Sequence, residues 1–152
     1  IYKTTDKSIN DWLNKRMNRT EFMPFAPVIR EEIAGKCIKK FKKGDVSLNF
    51  MTSTVNCTTT FLKSCPAVVH LDKTARPQIV NKKSNNFIWN VLKYWQKISG
   101  ELSLVNTSFN AHEEPIINNQ KEGLQALESD MIDVLWIVKK NIILRIIKNK
   151  KI

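Results

Sequence analysis

Two short stretches of the chain carry residue types that bind anions. The first follows the apolar run 67–69 and places six polar or charged side chains within nine residues: His70, Asp72, Lys73, Thr74, Arg76 and Gln78. A buried strand that delivers donors and charges at its carboxyl end is where open α/β sheets bind ligands. A polar turn, in which Asp72 and Thr74 bond the local backbone, explains this first cluster equally well.

The second cluster follows the apolar pair Leu104-Val105. It contains small donors and a carboxylate: Asn106, Thr107, Ser108, Asn110 and Glu114. Side chains of this kind can donate to phosphate oxygens or contact a bound ion. If the two preceding strands are neighbours in a sheet, both clusters line one crevice. The pairing favours a ligand site, and the alternative is that Asn106 and Asn110 are ordinary turn residues.

Hydrophobic periodicity predicts the elements that position these clusters. Helices are expected over residues 8–17, the second half of 28–43, 85–99 and 118–129, with residues 58–64 a short connector that could be helical. Strands are expected over residues 46–55, 67–70, 102–106 and 133–138. Ser84 is expected to cap the helix 85–99, whose apolar stripe faces the core, and Gly100 to end it. Alternating strands and helices predict an α/β sheet domain.

The chain of 152 residues is long enough for one domain with a hydrophobic core. Its net charge is +11, of which residues 139–152 supply six positive charges and no negative one. A charge concentrated in a terminal tail argues against a nucleic-acid-binding face, and the remaining +5 suits an anionic small ligand. Residues 139–152 could form an edge strand or a short helix.

The cysteine and histidine contents point to a cytoplasmic protein without an internal metal site. Cys37, Cys57 and Cys65 are odd in number and have no zinc-type spacing, which predicts reduced thiols. Two histidines are too few for a convincing metal centre. The sequence has neither an apolar run long enough to span a bilayer nor a visible signal peptide.

Three segments resemble, in the same order, the signatures of the NodU/CmcH carbamoyltransferase family. They are LNKRMNRTEFMPFAP, AVVHLDKTARPQIV and NTSFNAHEEPII. The resemblance implies a YrdC-like α/β fold, a twisted mixed sheet flanked by helices, over residues 1–138, followed by a basic tail at 139–152. It also implies that the chain is the C-terminal domain of a longer two-domain protein.

In this family the C-terminal domain uses ATP, with Mg²⁺, and carbamoyl phosphate to make carbamoyladenylate. An N-terminal domain of the actin-like ATPase class, which holds iron, passes the carbamoyl group to a hydroxyl acceptor. The expected partners are therefore carbamoyl phosphate, ATP and that N-terminal domain. A membrane is not expected, nucleic acid is disfavoured, and a homodimer stays open.

The resemblance assigns expected roles to residues of this chain. Arg76 and Ser108 are the candidate catalytic residues, because a guanidinium can grip phosphate or carbamate oxygens with two bonds and Ser108 belongs to the family's Ser-x-Asn element. The candidate binding residues are Lys15, Arg19, His70, Asp72, Thr74, Asn106, Thr107, Asn110 and Glu114. Asp72 and Glu114 are candidates to orient Arg76 or to contact Mg²⁺. His70 is equally well explained as a buried, satisfied histidine.

The chain departs from the family pattern at four positions: Met17, Met23, Lys73 and Val80, the last of which is a second basic residue in some members. Met17 and Met23 stand where members commonly carry Lys and Arg, and Lys15 or Arg16 could compensate from the adjoining helix. Lys73 replaces a usual glycine in a loop where glycine is expected to serve a positive φ or a close approach. These departures leave two alternatives open: a YrdC-like RNA- or nucleotide-binding module, or a degenerate domain without activity.

Overall fold

The computed structural model describes residues 1–16, 24–111, 113–139 and 142–147. The chain divides into two compact units. The first unit is Ile1–Leu13 with Phe22–Thr107, and the second unit is Asn14–Glu21 with Ser108–Ile152. The family resemblance implies a boundary at residue 138 instead, and that boundary stays a prediction.

The helices and strands alternate along the chain. The strands are β1 (Tyr2–Lys3), β2 (Ala26–Arg30), β3 (Val55–Asn56), β4 (Thr74–Ala75), β5 (Gln78–Val80), β6 (Leu104–Asn106), β7 (Val134–Lys139) and β8 (Ile142–Ile147). The helices are α1 (Ile9–Arg16), α2 (Ala34–Cys37), α3 (Thr59–Ser64), α4 (Asn86–Ser99) and α5 (Gln120–Glu128). Short 3₁₀ turns occupy Glu31–Ile33, Val46–Asn49 and Pro66–Val68.

A four-stranded mixed sheet organises the first unit, with the order β1-β6-β2-β5. Strand β2 is parallel to β5 and antiparallel to β6, and β1 is antiparallel to β6. Helix α4 packs its apolar side on this sheet: Leu92 joins the buried residues Val28, Val80 and Leu104. The predicted α/β class with a mixed sheet flanked by helices is therefore confirmed.

The helix predicted over residues 85–99 is confirmed as α4, with small changes. Helix α4 is capped by Asn85, whose side chain accepts from the Ile88 amide, and not by Ser84, which bonds Asn81 instead. Gly100 ends it in the left-handed conformation, with a φ of 75°. Ile98, the last apolar residue of the predicted stripe, is 77% exposed and so does not face the core.

Residues 28–56 differ most from expectation. The helix expected over the second half of residues 28–43 is largely wrong, because α2 ends at Cys37, and residues 28–30 belong to the interior strand β2. The strand predicted over residues 46–55 is wrong: a 3₁₀ turn occupies Val46–Asn49 and only Val55 extends into β3. Asp45 explains the turn, since its carboxylate accepts from both the amide and the hydroxyl of Ser47 and so closes the backbone locally.

The central strand predicted over residues 67–70 is also wrong. Pro66 begins a 3₁₀ turn there, in which Ala67 and Val68 are 1% exposed. Proline favours the first position of a helical turn, and the Ala67 amide donates to Thr4 O at 3.1 Å instead of to a sheet. The apolar run is therefore buried as a turn bonded to Thr4, and not as a strand.

The second unit contains α5 and the antiparallel pair β7–β8. Asn119 caps α5, and β7 confirms the strand predicted over residues 133–138. Gly123 allows α5 to approach β7, because a Cβ added there would lie 3.3 Å from Leu135 Cδ1. The basic tail was expected to form either an edge strand or a short helix, and residues 142–147 form a strand, β8. No helix in the described part of the chain is long and apolar enough to cross a membrane.

Candidate functional site

The first cluster forms a tight turn that reaches from the 3₁₀ turn at Pro66–Val68 to β4. The His70 amide donates to Thr74 O at 2.8 Å, and the Lys73 amide donates to His70 O at 3.0 Å. Lys73 adopts a φ of 67°, in the left-handed region. The expectation that a glycine in this position would serve a positive φ is thus confirmed, although the residue present is a lysine.

Three side chains of this turn form a hydrogen-bonded chain. Thr74 Oγ1 donates to Asp72 Oδ1 at 2.6 Å and lies 3.0 Å from His70 Nδ1. The Thr74 amide donates to the same carboxylate oxygen at 3.0 Å. These two bonds from Thr74 lower the pKa of Asp72, so that it stays a carboxylate. The polar turn expected as an alternative is therefore present, and it also orients a histidine ring.

The charge state of His70 depends on its surroundings. Burial lowers the pKa of His70 below its usual 6.5, the Asp72 carboxylate opposes this in part, and the Arg76 charge adds to it. The ring is accordingly neutral at pH 7. A neutral imidazole can accept a hydrogen bond from a ligand, which a protonated one cannot.

Arg76 lies on the link between β4 and β5. Its neighbours Ala75 and Pro77 are each less than 2% exposed, whereas Arg76 itself is exposed. The backbone is therefore fixed while the guanidinium extends into solvent. Within the described residues Arg76 makes no ion pair with Asp72, so the hypothesis that Asp72 orients Arg76 through a direct ion pair is not supported by the geometry.

The two clusters do not follow neighbouring strands, because the first follows the 3₁₀ turn at Pro66–Val68. Its last residue, Gln78, begins β5, which β2 separates from β6. They are nevertheless connected in the first unit, since Asn106 Nδ2 donates to Gln78 Oε1 at 2.7 Å and lies 3.8 Å from Met51 Sδ. Strand β6 ends where β2 and β5 begin, so Asn106 and Gln78 share one edge of the sheet. Gln78 was visible as the last polar residue of the first cluster, whereas no sequence signal points to Met51.

Ser108 and Asn110 begin the second unit. Ser108 is exposed, and Asn110 Nδ2 donates to Glu114 O at 2.8 Å. This bond leaves Asn110 Oδ1 buried and without a partner in the part of the chain that is described. A buried acceptor of this kind is the sort of atom that a ligand or an ordered water satisfies.

The remaining predicted binding residues are placed as follows. Glu114 is exposed and lines a groove of about 540 Å³ beside α5. Thr107 is partly exposed at the end of the first unit, and Lys15 is exposed on α1. Arg16, considered as a substitute for the missing lysine, bonds Asp130 O and forms an ion pair with Asp133 at 3.2 Å. Arg19, with Met17 and Met23, lies outside the described residues.

The three cysteines are free and buried. Burial raises the pKa of Cys37 to about 12 and that of Cys57 to about 11, so that neither thiol ionises near neutral pH. Among the described residues no group of three or more His, Cys, Asp or Glu side chains is placed to hold a metal ion.

Comparison with known proteins assigns the chain to a family. Residues 1–144 match the family described as Carbamoyltransferase C-terminus. An uncharacterised protein of Methanocaldococcus jannaschii is 33% identical over 131 residues, which cover 86% of this chain and 25% of that protein. Nodulation protein NolO of Bradyrhizobium diazoefficiens is 32% identical over 119 residues, covering 78% of this chain and 22% of that protein.

Nodulation protein U of Rhizobium tropici is 30% identical over 132 residues, which cover 87% of this chain and 22% of that protein. The chain thus spans about a fifth to a quarter of the length of the curated relatives it matches. The match to the family covers nearly all of the chain and includes both polar clusters. The chain belongs to the carbamoyltransferase C-terminus family.

Proposed function

We propose that this domain binds ATP and carbamoyl phosphate and forms carbamoyladenylate, which the N-terminal part of a longer protein uses to carbamoylate a hydroxyl acceptor. The observation that carries the proposal is the family match over residues 1–144. The exposed guanidinium of Arg76 on a fixed backbone supports it, because the substrates are polyanions.

The proposed chemistry proceeds in two balanced steps. Hydrolysis of carbamoyl phosphate gives carbamate and inorganic phosphate. A carbamate oxygen then forms a bond to the α-phosphorus of ATP, and the bond between the α-phosphorus and the bridging oxygen breaks, with its electron pair leaving on pyrophosphate. The protein has no covalent work in the second step, so positioning and charge neutralisation account for most of the catalysis.

Each candidate residue has a role in this scheme. Arg76 would hold phosphate or carbamate oxygens through two parallel bonds, and Ser108 and Asn110 would donate to phosphate or to the carbamoyl group. The two residues proposed as catalytic belong to different units, so a shared anion between Arg76 and Ser108 stays a prediction. Asn106 and Thr107 would act as supporting donors at the end of β6.

Mg²⁺ would enter the site with the ATP phosphates, since this ion is usually held by one or two carboxylates together with substrate phosphates. Asp72 fits that requirement in part: Oδ1 accepts from Thr74, and its carboxylate stays ionised. Iron is expected only in the N-terminal part of the longer protein. The ion would neutralise phosphate charge, while Arg76 holds the oxygens that react.

The direct test is ATP–pyrophosphate exchange that depends on carbamoyl phosphate. Arg76→Ala is expected to lower the exchange rate roughly 10- to 100-fold, the loss typical of one charged hydrogen bond. Lys97→Ala removes an exposed positive charge from the last turn of α4 and should leave the rate unchanged. No exchange by the full protein, or equal rates for the Arg76 and Lys97 variants, would contradict the proposal.

The same preparation decides between the alternatives. Affinity for tRNA that survives replacement of all six basic residues of 139–152 by glutamine, together with no affinity for carbamoyl phosphate, would favour an RNA-binding module, because the basic tail could then not be its cause. Calorimetry that detects binding of neither ATP nor carbamoyl phosphate would instead favour a degenerate domain.

A further inference from the structure

The His70 ring is held in one tautomer by the hydrogen-bonded chain described above. The Thr74 hydroxyl has a single proton, which it donates to Asp72 Oδ1 at 2.6 Å. Thr74 Oγ1 also lies 3.0 Å from His70 Nδ1, and because its proton is already used it can only accept there. Nδ1 therefore carries the proton of the neutral ring, and the lone pair is at Nε2.

The backbone fixes the direction of this lone pair. His70 and Thr74 are joined through the His70 amide and Thr74 O at 2.8 Å, and the Thr74 amide bonds Asp72 at 3.0 Å. The ring is half-buried, and no hydrogen bond to Nε2 occurs within the described residues. An oriented acceptor without a partner is thus present beside Arg76, whose charge acts on the same ring.

This acceptor differs in kind from the two cationic side chains of the first cluster. Arg76 and Lys73 are donors, which suit phosphate oxygens but cannot recognise an amino group. The hydrogen-bond donor of carbamoyl phosphate is its NH₂ group. A single carbon atom separates this group from the oxygen that bridges to phosphorus. A ligand held by its phosphate at Arg76 would therefore bring the NH₂ group near the His70 ring.

We propose that His70 Nε2 accepts a hydrogen bond from the amino group of carbamoyl phosphate, so that His70 selects this substrate over acyl phosphates that lack the group. Asp72 and Thr74 act as positioning residues that keep the acceptor on the ligand side. The inference rests on the proposed function, since it concerns the same site. The adenine of ATP also has an amino group, but ribose separates it from the phosphates.

The tautomer can be tested without any ligand. Nitrogen-15 chemical shifts distinguish protonated from unprotonated ring nitrogens, and the chain has only two histidines, so a His112→Asn variant leaves His70 alone. We expect a protonated Nδ1 and an unprotonated Nε2 at pH 8, and a mixture of both tautomers in Thr74→Val. A ring protonated mainly at Nε2 in the unsubstituted chain would overturn the inference.

Selectivity is tested by calorimetric titration of the full protein with carbamoyl phosphate and with acetyl phosphate, in which a methyl group replaces NH₂. We expect roughly tenfold tighter binding of carbamoyl phosphate, the scale of one hydrogen bond. His70→Asn keeps a polar atom near Thr74 but removes the acceptor, and should abolish the preference. His70→Gln places an acceptor oxygen near the Nε2 position and should keep part of it.

The outcomes separate the two proposals. If the unsubstituted protein binds carbamoyl phosphate and His70→Asn keeps the full preference, the inference about His70 is wrong and the proposed function stands. If the preference is lost in Asn110→Ala but not in His70→Asn, the acceptor is Asn110 Oδ1, which again overturns the inference. If His70→Asn instead changes the preference for ATP over purine riboside triphosphate, the amino group is that of adenine. Absence of carbamoyl phosphate binding by the unsubstituted protein contradicts the proposed function itself.

Discussion

Asn106 and Gln78 hydrogen-bond to each other across a strand that separates them. Asn106 Nδ2 lies 2.7 Å from Gln78 Oε1, while β2 stands between β6 and β5. The bond joins the end of β6 to the start of β5 within the first unit. It thereby fixes the direction in which the chain leaves β6 toward Thr107.

The energy of this bond is measurable by a double-mutant cycle. Asn106→Ala and Gln78→Ala are each expected to lower the free energy of unfolding, with a coupling energy of about 1 kcal/mol between them. Urea unfolding of the two single variants and the double variant measures it. The cycle Asn90→Ala with Gln78→Ala is the control, because Asn90 bonds only Asn86 in its own helix. Additive effects of Asn106 and Gln78 would show that the bond is not formed in solution.

The left-handed conformation of Lys73 gives a second prediction. A side chain with a Cβ costs about 1 kcal/mol in this region relative to glycine, so Lys73→Gly should raise the free energy of unfolding by about that amount. Lys82→Gly lies in another turn, where no positive φ occurs, and should not stabilise the chain. Thermal unfolding of both variants checks the prediction, and a destabilised Lys73→Gly would contradict the backbone geometry of the turn.

The titration of His70 gives a third prediction. Its pKa is expected below 6.5, with Asp72→Asn lowering this pKa further and Arg76→Ala raising it, because the two charges act in opposite directions. Carbon-bound proton shifts of the ring, recorded from pH 4 to 9 in the His112→Asn background, measure all three values. Equal midpoints in the two charge variants would contradict the proximity of these groups.

The lowered pKa of His70 also makes the free energy of unfolding depend on pH, in a direction that can be stated. Since folding lowers the pKa of His70, the unfolded chain binds this proton more readily, and His70 makes the fold less stable as the pH falls from 6.5 through the folded pKa. Above pH 6.5 the effect is absent. The difference in unfolding free energy between the unsubstituted chain and His70→Asn should therefore change only in that interval, and a difference independent of pH would refute the shift.

The buried thiols give a fourth prediction. The pKa of Cys37 is raised to about 12 and that of Cys57 to about 11, so almost no thiolate is present at pH 8. The native chain is expected to react with Ellman's reagent only as fast as it opens, and the urea-unfolded chain should react at once with three equivalents, one for each cysteine. Rapid reaction of the native chain would show that the first unit opens around these residues.

The sequence predicted those elements whose apolar pattern lies within one segment. Helix α4 has a long stripe with a cap and a closing glycine, and β7 is a continuous apolar run, so both were found. The strand prediction for residues 46–55 was wrong because Asp45 and Ser47 close a local turn, which the alternation of apolar residues does not reveal. The strand prediction for the apolar run 67–69 was wrong because Pro66 and the bond to Thr4 bury this run as a turn. An apolar run shows that a segment is buried, but not whether it is a turn or a strand.

The candidate site was predictable in its composition but not in its connections. The polar residues of both clusters were visible as unusual groupings, and the glycine-like role of position 73 was anticipated from the family pattern. The bond between Asn106 and Gln78 depends on the strand order, which periodicity does not fix. The chain Asp72–Thr74–His70 depends on a turn geometry that only the folded backbone defines.

The pairing of β1 with β6 has a consequence for folding during synthesis. Tyr2 pairs with Val105 and Lys3 with Leu104, so among the described residues β1 finds its sheet partner in β6, the last strand of the first unit. Contacts between residues so far apart in sequence form slowly, because a long loop must close before they are gained. The first unit must therefore leave the ribosome through Asn106 before its sheet can close, and until then β1 stays without its partner strand and available to chaperones and proteases.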